Sequence, residues 1–122
     1  MEYFVLIVED NDLLQRAAQR TCARLFANAG HTTVITIAAD GHEARKAIMT
    51  KKFDYVLSDI EFPHGNSVEV HDLVGQASPQ ALFVANTGNP NHADVTTLKE
   101  RGVTVLYKPY GPQALAAAFG LT

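Results

Sequence analysis

Glu9 and Asp10, Ser58 and Asp59, Thr87 and Lys108 are far apart in this 122-residue chain, yet each follows directly on a short apolar run. "VLIV" precedes the first pair, "YVL" the second, "ALFVA" leads into Asn86-Thr87-Gly88, and "VTVLY" ends at Lys108-Pro109. If those runs are neighbouring strands, three carboxylates, a hydroxyl and a lysine converge on one rim. Clustered carboxylates repel one another and destabilise a fold unless a cation offsets them. Oxygen donors without a histidine cluster suit Mg²⁺ or Mn²⁺ rather than Zn²⁺. Lys108 can pair with a carboxylate and also hold a phosphoryl oxygen, and Thr87 can donate a hydrogen bond to another. The chemistry such a set can perform is phosphoryl transfer to an aspartate, with the cationic groups and the hydroxyl neutralising and orienting the equatorial oxygens.

The elements that must position these residues alternate regularly. Apolar, strand-length runs occupy 3–8, 33–38, 54–58, 81–85 and 103–107. After the first of them, Leu14, Ala17, Ala18, Thr21, Cys22, Leu25 and Phe26 recur at helical spacing, and Gly30 supplies a stop. The run "DGHEARKAIMTKK" reads as a second helix, opened by Asp40 and Glu43 at capping-box spacing. Segments 67–76, 91–101 and 112–119 read as further helices, the last with Pro112 in its first turn. This βα alternation predicts an α/β fold: a parallel sheet covered by helices on both faces. Nearly continuous apolar strands agree, because parallel strands are buried on both sides. Ligands of such sheets bind at the carboxyl ends of the strands, where the chemically capable residues fall.

Composition narrows the function. Hydrophobic residues make up 47% of the chain, enough for one real core, so a single domain over 1–122 is expected. A net charge of −3, with the ten Lys and Arg scattered, argues against a nucleic-acid surface. The apolar run at the start is too short for a signal peptide or a membrane span, and the single cysteine, Cys22, excludes an intrachain disulfide. A cytoplasmic protein is expected.

The pieces "LIVEDND", "AADGHEA", "YVLSDIEFP", "VANTG" and "LYKPY", in this order and spacing, resemble the receiver domain of two-component response regulators over essentially the whole chain. The resemblance implies a doubly wound, flavodoxin-like (βα)5 sandwich with a five-stranded parallel sheet of order 2-1-3-4-5. It implies a phosphoacceptor at Asp59, a switch hydroxyl at Thr87 and the site lysine at Lys108. It implies Mg²⁺ (or Mn²⁺) held by Asp10, Asp59, the backbone carbonyl of Glu61, and Glu9 directly or through water. Gly88, small, leaves room for the phosphodonor. A histidine kinase or phosphotransfer protein would supply the phosphoryl group. A downstream target or output domain would read the surface of helix four, strand five and helix five, which also offers a homodimer contact. Turnover of a free metabolite is not implied, nor is direct contact with nucleic acid or membrane.

The chain departs from the family pattern in places. An aromatic usually stands three residues before the lysine, where this chain has Val105, with Tyr107 further along the same strand face. A glycine usually stands four residues after the proline of the acceptor loop, where this chain has Ser67, with Gly65 earlier. These departures motivate an alternative, a degenerate receiver that binds partners without phosphorylation; the intact Glu9, Asp10, Asp59, Thr87 and Lys108 oppose it. A second alternative, a haloacid-dehalogenase-type phosphatase, needs an aspartate two residues after the nucleophile, and Glu61 stands there.

Simpler structural roles account for other residues. Asp12 suits a helix start, where a carboxylate meets the positive end of the dipole. Cys22 reads as a buried helix residue and "LAAAF" as core packing. The five histidines share no spacing and read as surface or loop residues, with only His64 near enough to the acceptor loop to reach the site.

Overall fold

The computed structural model describes residues 1–121. Its main strands are β1 (Glu2–Val8), β2 (Thr32–Ala38), β3 (Tyr55–Asp59), β4 (Leu82–Thr87) and β5 (Thr104–Tyr107). They form one parallel sheet in the order β2-β1-β3-β4-β5, the order that the resemblance implies. Between and after them run α1 (Asp12–Asn28), α2 (Gly41–Thr50), α3 (Ser67–Ala77), α4 (Ala93–Glu100) and α5 (Pro112–Ala118).

Strand alternation divides the core into two layers. Leu6, Val8, Val56, Phe83 and Val105 face one side and pack with Ile48, Val70, Val74, Val95 and Leu98 from α2, α3 and α4. Val5, Ile7, Leu57 and Val84 face the other and pack with Cys22 and Phe26 of α1 and with Leu115 and Phe119. The "LAAAF" run is thus core: Leu115, Ala116 and Phe119 are buried. Truncating a fully buried side chain such as Leu6 or Phe26 to alanine would cost about 2–5 kcal/mol. Cys22, with no exposed surface, has its thiol pushed up to about 12 by burial, which suits a packing residue. Among the described residues, no helix is long and apolar enough to cross a membrane.

Helix starts are fixed by side-chain caps. Asn11 accepts from Leu14 N–H at 3.0 Å and so opens α1 immediately before Asp12. Asp40 accepts from Glu43 N–H at 2.8 Å, while the Glu43 carboxylate returns to Ala39 N–H at 2.7 Å, a capping box displaced by one residue. The fourth helix starts two residues later than its sequence pattern predicts, because His92 caps it through Nδ1, which accepts from Asp94 N–H at 3.1 Å.

The segment after Asp59 is a small antiparallel hairpin that pairs Glu61–Phe62 with Gly65–Asn66. His64 turns it with a positive φ of 62°, and Ser67 N–H donates to the Ile60 carbonyl at 2.9 Å to lead into α3. The hairpin packs so tightly on the start of α2 that a Cβ on Gly41 would fall 1.9 Å from the His64 carbonyl oxygen. Gly41 is therefore obligatory, and the hairpin explains how the chain accommodates Gly65 and Ser67 where the family pattern has its glycine later.

Candidate functional site

β1, β3 and β5 end at the same rim, and residue parity decides which groups meet there. Glu9, Asp59 and Lys108 each stand two residues beyond a side chain of the α1/α5 layer: Ile7, Leu57 and Leu106. All three therefore rise on one face of the sheet. Their alignment is fixed by backbone bonds: Glu9 N–H to the Ala38 carbonyl at 3.0 Å, Ile60 N–H to the Asn86 carbonyl at 3.1 Å, and Lys108 N–H to the Thr87 carbonyl at 2.8 Å. The Lys108–Pro109 peptide that follows is cis.

Lys108 Nζ donates to Glu9 Oε1 at 3.0 Å and to Asp59 Oδ1 at 3.1 Å, bridging β1 and β3 from the far edge of the site. Glu9 is only 5% exposed, and its second oxygen accepts from Asn11 N–H at 3.2 Å. Its carbonyl accepts from the Gln15 side chain at 2.6 Å. Asp10 next to it is exposed. One carboxylate oxygen from each of Glu9, Asp10 and Asp59 lies within 4.8 Å of the others.

The electrostatics of this cluster are unbalanced. Burial first, and then the charge of Glu9, push the Asp59 carboxyl up to about 6, against the opposing pull of Lys108. Burial works against the charge of Lys108, but its bonds to Glu9 and Asp59 and their fields outweigh it and hold the ammonium above the usual lysine range. One lysine thus faces three carboxylates. An oxygen-only set with excess negative charge fits a hard divalent cation.

Other candidate residues are placed differently. Thr87 is buried, but its hydroxyl is engaged by its own loop: it accepts from Asn89 N–H at 2.9 Å. Ser58 lies on the opposite face, buried, and donates to the Asp59 carbonyl at 2.8 Å, so it takes no part in the acidic cluster. The Glu61 carboxylate points outward to His92 Nε2 at 3.5 Å. His64, at the turn of the hairpin, packs its ring on His42 at 4.4 Å between ring centres, and it is His92 that meets the Glu61 carboxylate. Val105 is buried in the α2–α4 layer, whereas Tyr107 is 38% exposed, with Lys99 Nζ 5.2 Å from its ring centre. Sequence reasoning missed Asn11, Gln15 and Asn89, whose short-range polar roles depend on loop geometry. It also missed Asn86 and Tyr110, joined by a 2.6 Å hydrogen bond beside the lysine.

Comparisons with known proteins bear on the fold and the family. The sequence model of the response regulator receiver domain family matches residues 5–119. A protein-glutamate methylesterase/protein-glutamine glutaminase of Haloarcula marismortui is 31% identical over 84 residues, 67% of this chain and 23% of the relative. Its namesake in Nitrosospira multiformis is 28% identical over 111 residues, 88% of this chain and 30% of the relative. The chain thus spans less than a third of the length of these curated relatives. Among solved structures, a Burkholderia pseudomallei response regulator with a phosphorylated aspartic acid, calcium ion and citrate superposes with TM-score 0.81 at 19% identity, covering 96% of this chain and 66% of that one. The receiver domain of a Pseudomonas aeruginosa sensor histidine kinase, with magnesium coordinated in its active-site cleft, gives 0.75 at 20% identity and 98% and 95% coverage. A chemotaxis protein of Vibrio cholerae gives 0.77 at 24% identity, covering 98% of both chains.

Proposed function

This chain belongs to the response regulator receiver domain family, and from that premise we propose that it is a phosphorylation-dependent switch of a two-component or phosphorelay system, with Asp59 as its phosphoacceptor. The observation that carries this reading is the Lys108 ammonium, held 3.1 Å from Asp59 across one intervening strand and 3.0 Å from Glu9 across two. An Asp59 carboxylate oxygen attacks the phosphorus of a phosphohistidine presented by a histidine kinase or phosphotransfer protein. The N–P bond breaks, its electron pair returns to the imidazole, and an acyl phosphate remains on Asp59. Lys108 exchanges part of its carboxylate contact for an equatorial phosphoryl oxygen. Asp10, Asp59, the Glu61 carbonyl, and Glu9 directly or through water, would hold Mg²⁺ or Mn²⁺, which when bound supplies the positive charge that the acidic cluster lacks.

Thr87 would leave Asn89 and turn its hydroxyl to the new phosphoryl oxygen. That movement biases the surface of α4, β5 and α5 toward a downstream target, an output domain or a second copy of the chain. The relatives' names make a protein-glutamate methylesterase output one candidate for what is controlled. The chain's own chemistry is confined to making and losing its acyl phosphate, in the cytoplasm. A phosphatase role is disfavoured because the carboxylate at position 61 faces His92 rather than a leaving group above Asp59.

Incubation with acetyl phosphate and Mg²⁺, followed by intact mass measurement, tests the reading. One phosphoryl adduct is expected, absent without the metal and absent in Asp59→Asn. No adduct in the native chain, or an adduct that persists in Asp59→Asn, would overturn it.

A further inference from the structure

Asn86 stands in the row of residues that builds the site, yet nothing in the proposed chemistry uses it. It is directly opposite Asp59 in the β3–β4 register and lies two residues beyond Val84, so it shares the face of Glu9, Asp59 and Lys108. It is 6% exposed. Its side-chain Nδ2 donates to the Tyr110 hydroxyl at 2.6 Å, while its Oδ1 is buried without a hydrogen-bond partner among the described residues. A half-satisfied buried amide is less favourable there than an apolar side chain, which would continue the packing of Val84. The amide therefore calls for a reason other than packing.

Lys108 supplies one. It leaves the end of β5, but its partners stand on β3 and β1, so its side chain must cross β4 at the level of Asn86. The corner from which it starts is tied to β4 twice: through Lys108 N–H to the Thr87 carbonyl at 2.8 Å, and through Tyr110, two residues on, to Asn86. We infer that Asn86 and Tyr110 form a strut that positions Lys108 for phosphoryl capture at Asp59. Asn86 is thus a positioning residue acting through the β5–α5 corner. The inference rests on the reading of Asp59 as phosphoacceptor.

The test compares Asn86→Leu, Tyr110→Phe and the double variant for their rate of labelling by acetyl phosphate across a Mg²⁺ titration, alongside denaturant unfolding. Each single substitution is expected to lower the maximal labelling rate about five- to tenfold, with the half-saturating Mg²⁺ concentration unchanged. The double variant should lose no more than the worse single one, because both break the same strut. The unfolding midpoint should stay level or rise in Asn86→Leu and fall modestly in Tyr110→Phe, which leaves the Asn86 amide without its acceptor. A native labelling rate in either single variant, losses that multiply in the double, or a labelling loss in Asn86→Leu matched by a lowered midpoint would overturn the strut. Tyr110→Phe removes only a hydroxyl and carries the test if Asn86→Leu does not fold. If the native chain takes up no phosphoryl group, the phosphoacceptor reading fails by itself. The strut is then judged from the Lys108 side-chain NMR signals of Tyr110→Phe, which shift if it exists and stay unchanged if it does not.

Discussion

The two halves of the rim are in different states of readiness. On the α1/α5 side, Lys108 already binds both Glu9 and Asp59, and the N–H groups of Glu9, Ile60 and Lys108 are hydrogen-bonded to neighbouring strands. On the α2–α4 side, the Thr87 hydroxyl is occupied by Asn89, Val105 is packed in the core, and Tyr107 lies outside under Lys99. The first half is preorganised electrostatics, which acts without rearrangement. The second must move before it can report anything. On the proposed function, capture of a phosphoryl group and its readout are separable, and with Val105 packed in the core the readout would not use an inward swing of an aromatic at position 105.

The sharpest way to break this contrast is through Lys108. Lys108→Ala leaves Glu9 buried beside Asp59 with no cation, and removing one partner of a buried pair costs roughly 3–5 kcal/mol. Unfolding in the absence of metal should show a large loss, partly restored by Mg²⁺, together with loss of the acetyl phosphate adduct. A stability unchanged in EDTA would show that the preassembled half is not held by its charges.

Asp59→Asn should act in the opposite direction. The folded Asp59 titrates at about 6, above its ordinary 3.8, so the fold favours the protonated acid. Its stabilising contribution is complete below about 3.8 and lost as pH rises through about 6. Above that window the asparagine variant should be more stable than the metal-free native chain by roughly 2–3 kcal/mol, and the native chain's decline between pH 4 and 7 should flatten. Melting in EDTA as a function of pH measures both. Asp10→Ala should follow in the same direction with a smaller gain, since Asp10 is exposed and contributes least to the Asp59 shift. It should also abolish most of the Mg²⁺ affinity, read by a metal titration.

Substitutions in the other half sharpen the comparison with smaller effects. Thr87→Ala removes the acceptor for Asn89 N–H and should cost about 1 kcal/mol, while labelling still proceeds. A loss of labelling as large as that of Lys108→Ala would place Thr87 in capture rather than readout. Tyr107→Ala gives up an exposed cation–π contact of about 0.5–1 kcal/mol. Its labelling rate should match the native chain, and only binding of a downstream partner should change.

Much of this arrangement was legible in the residue order. The apolar runs and helical spacings locate every main strand and helix, because parallel strands buried on both faces must be continuously apolar. Their ends bring Glu9, Asp10, Asp59 and Lys108 to one rim. Boundaries set by caps were less visible: His92 delays α4 by two residues, since a histidine seldom announces itself as a cap. The hairpin at Glu61–Asn66 was not readable either, because two-residue strands carry no periodicity.

Sequence alone determined the fold, the family and the identity of the charged groups, since these follow from pattern and residue type along the chain. Tertiary structure decided where each group points. It turned Thr87 to Asn89 and Glu61 to His92, placed Ser58 on the wrong face, and set Asn86 beside Tyr110 under the path of Lys108. The Ser58 outcome depends on strand register, the Thr87 outcome on the geometry of its loop, and the others on contacts between residues far apart in the chain, such as the 24 positions that separate Asn86 from Tyr110. No local pattern encodes them.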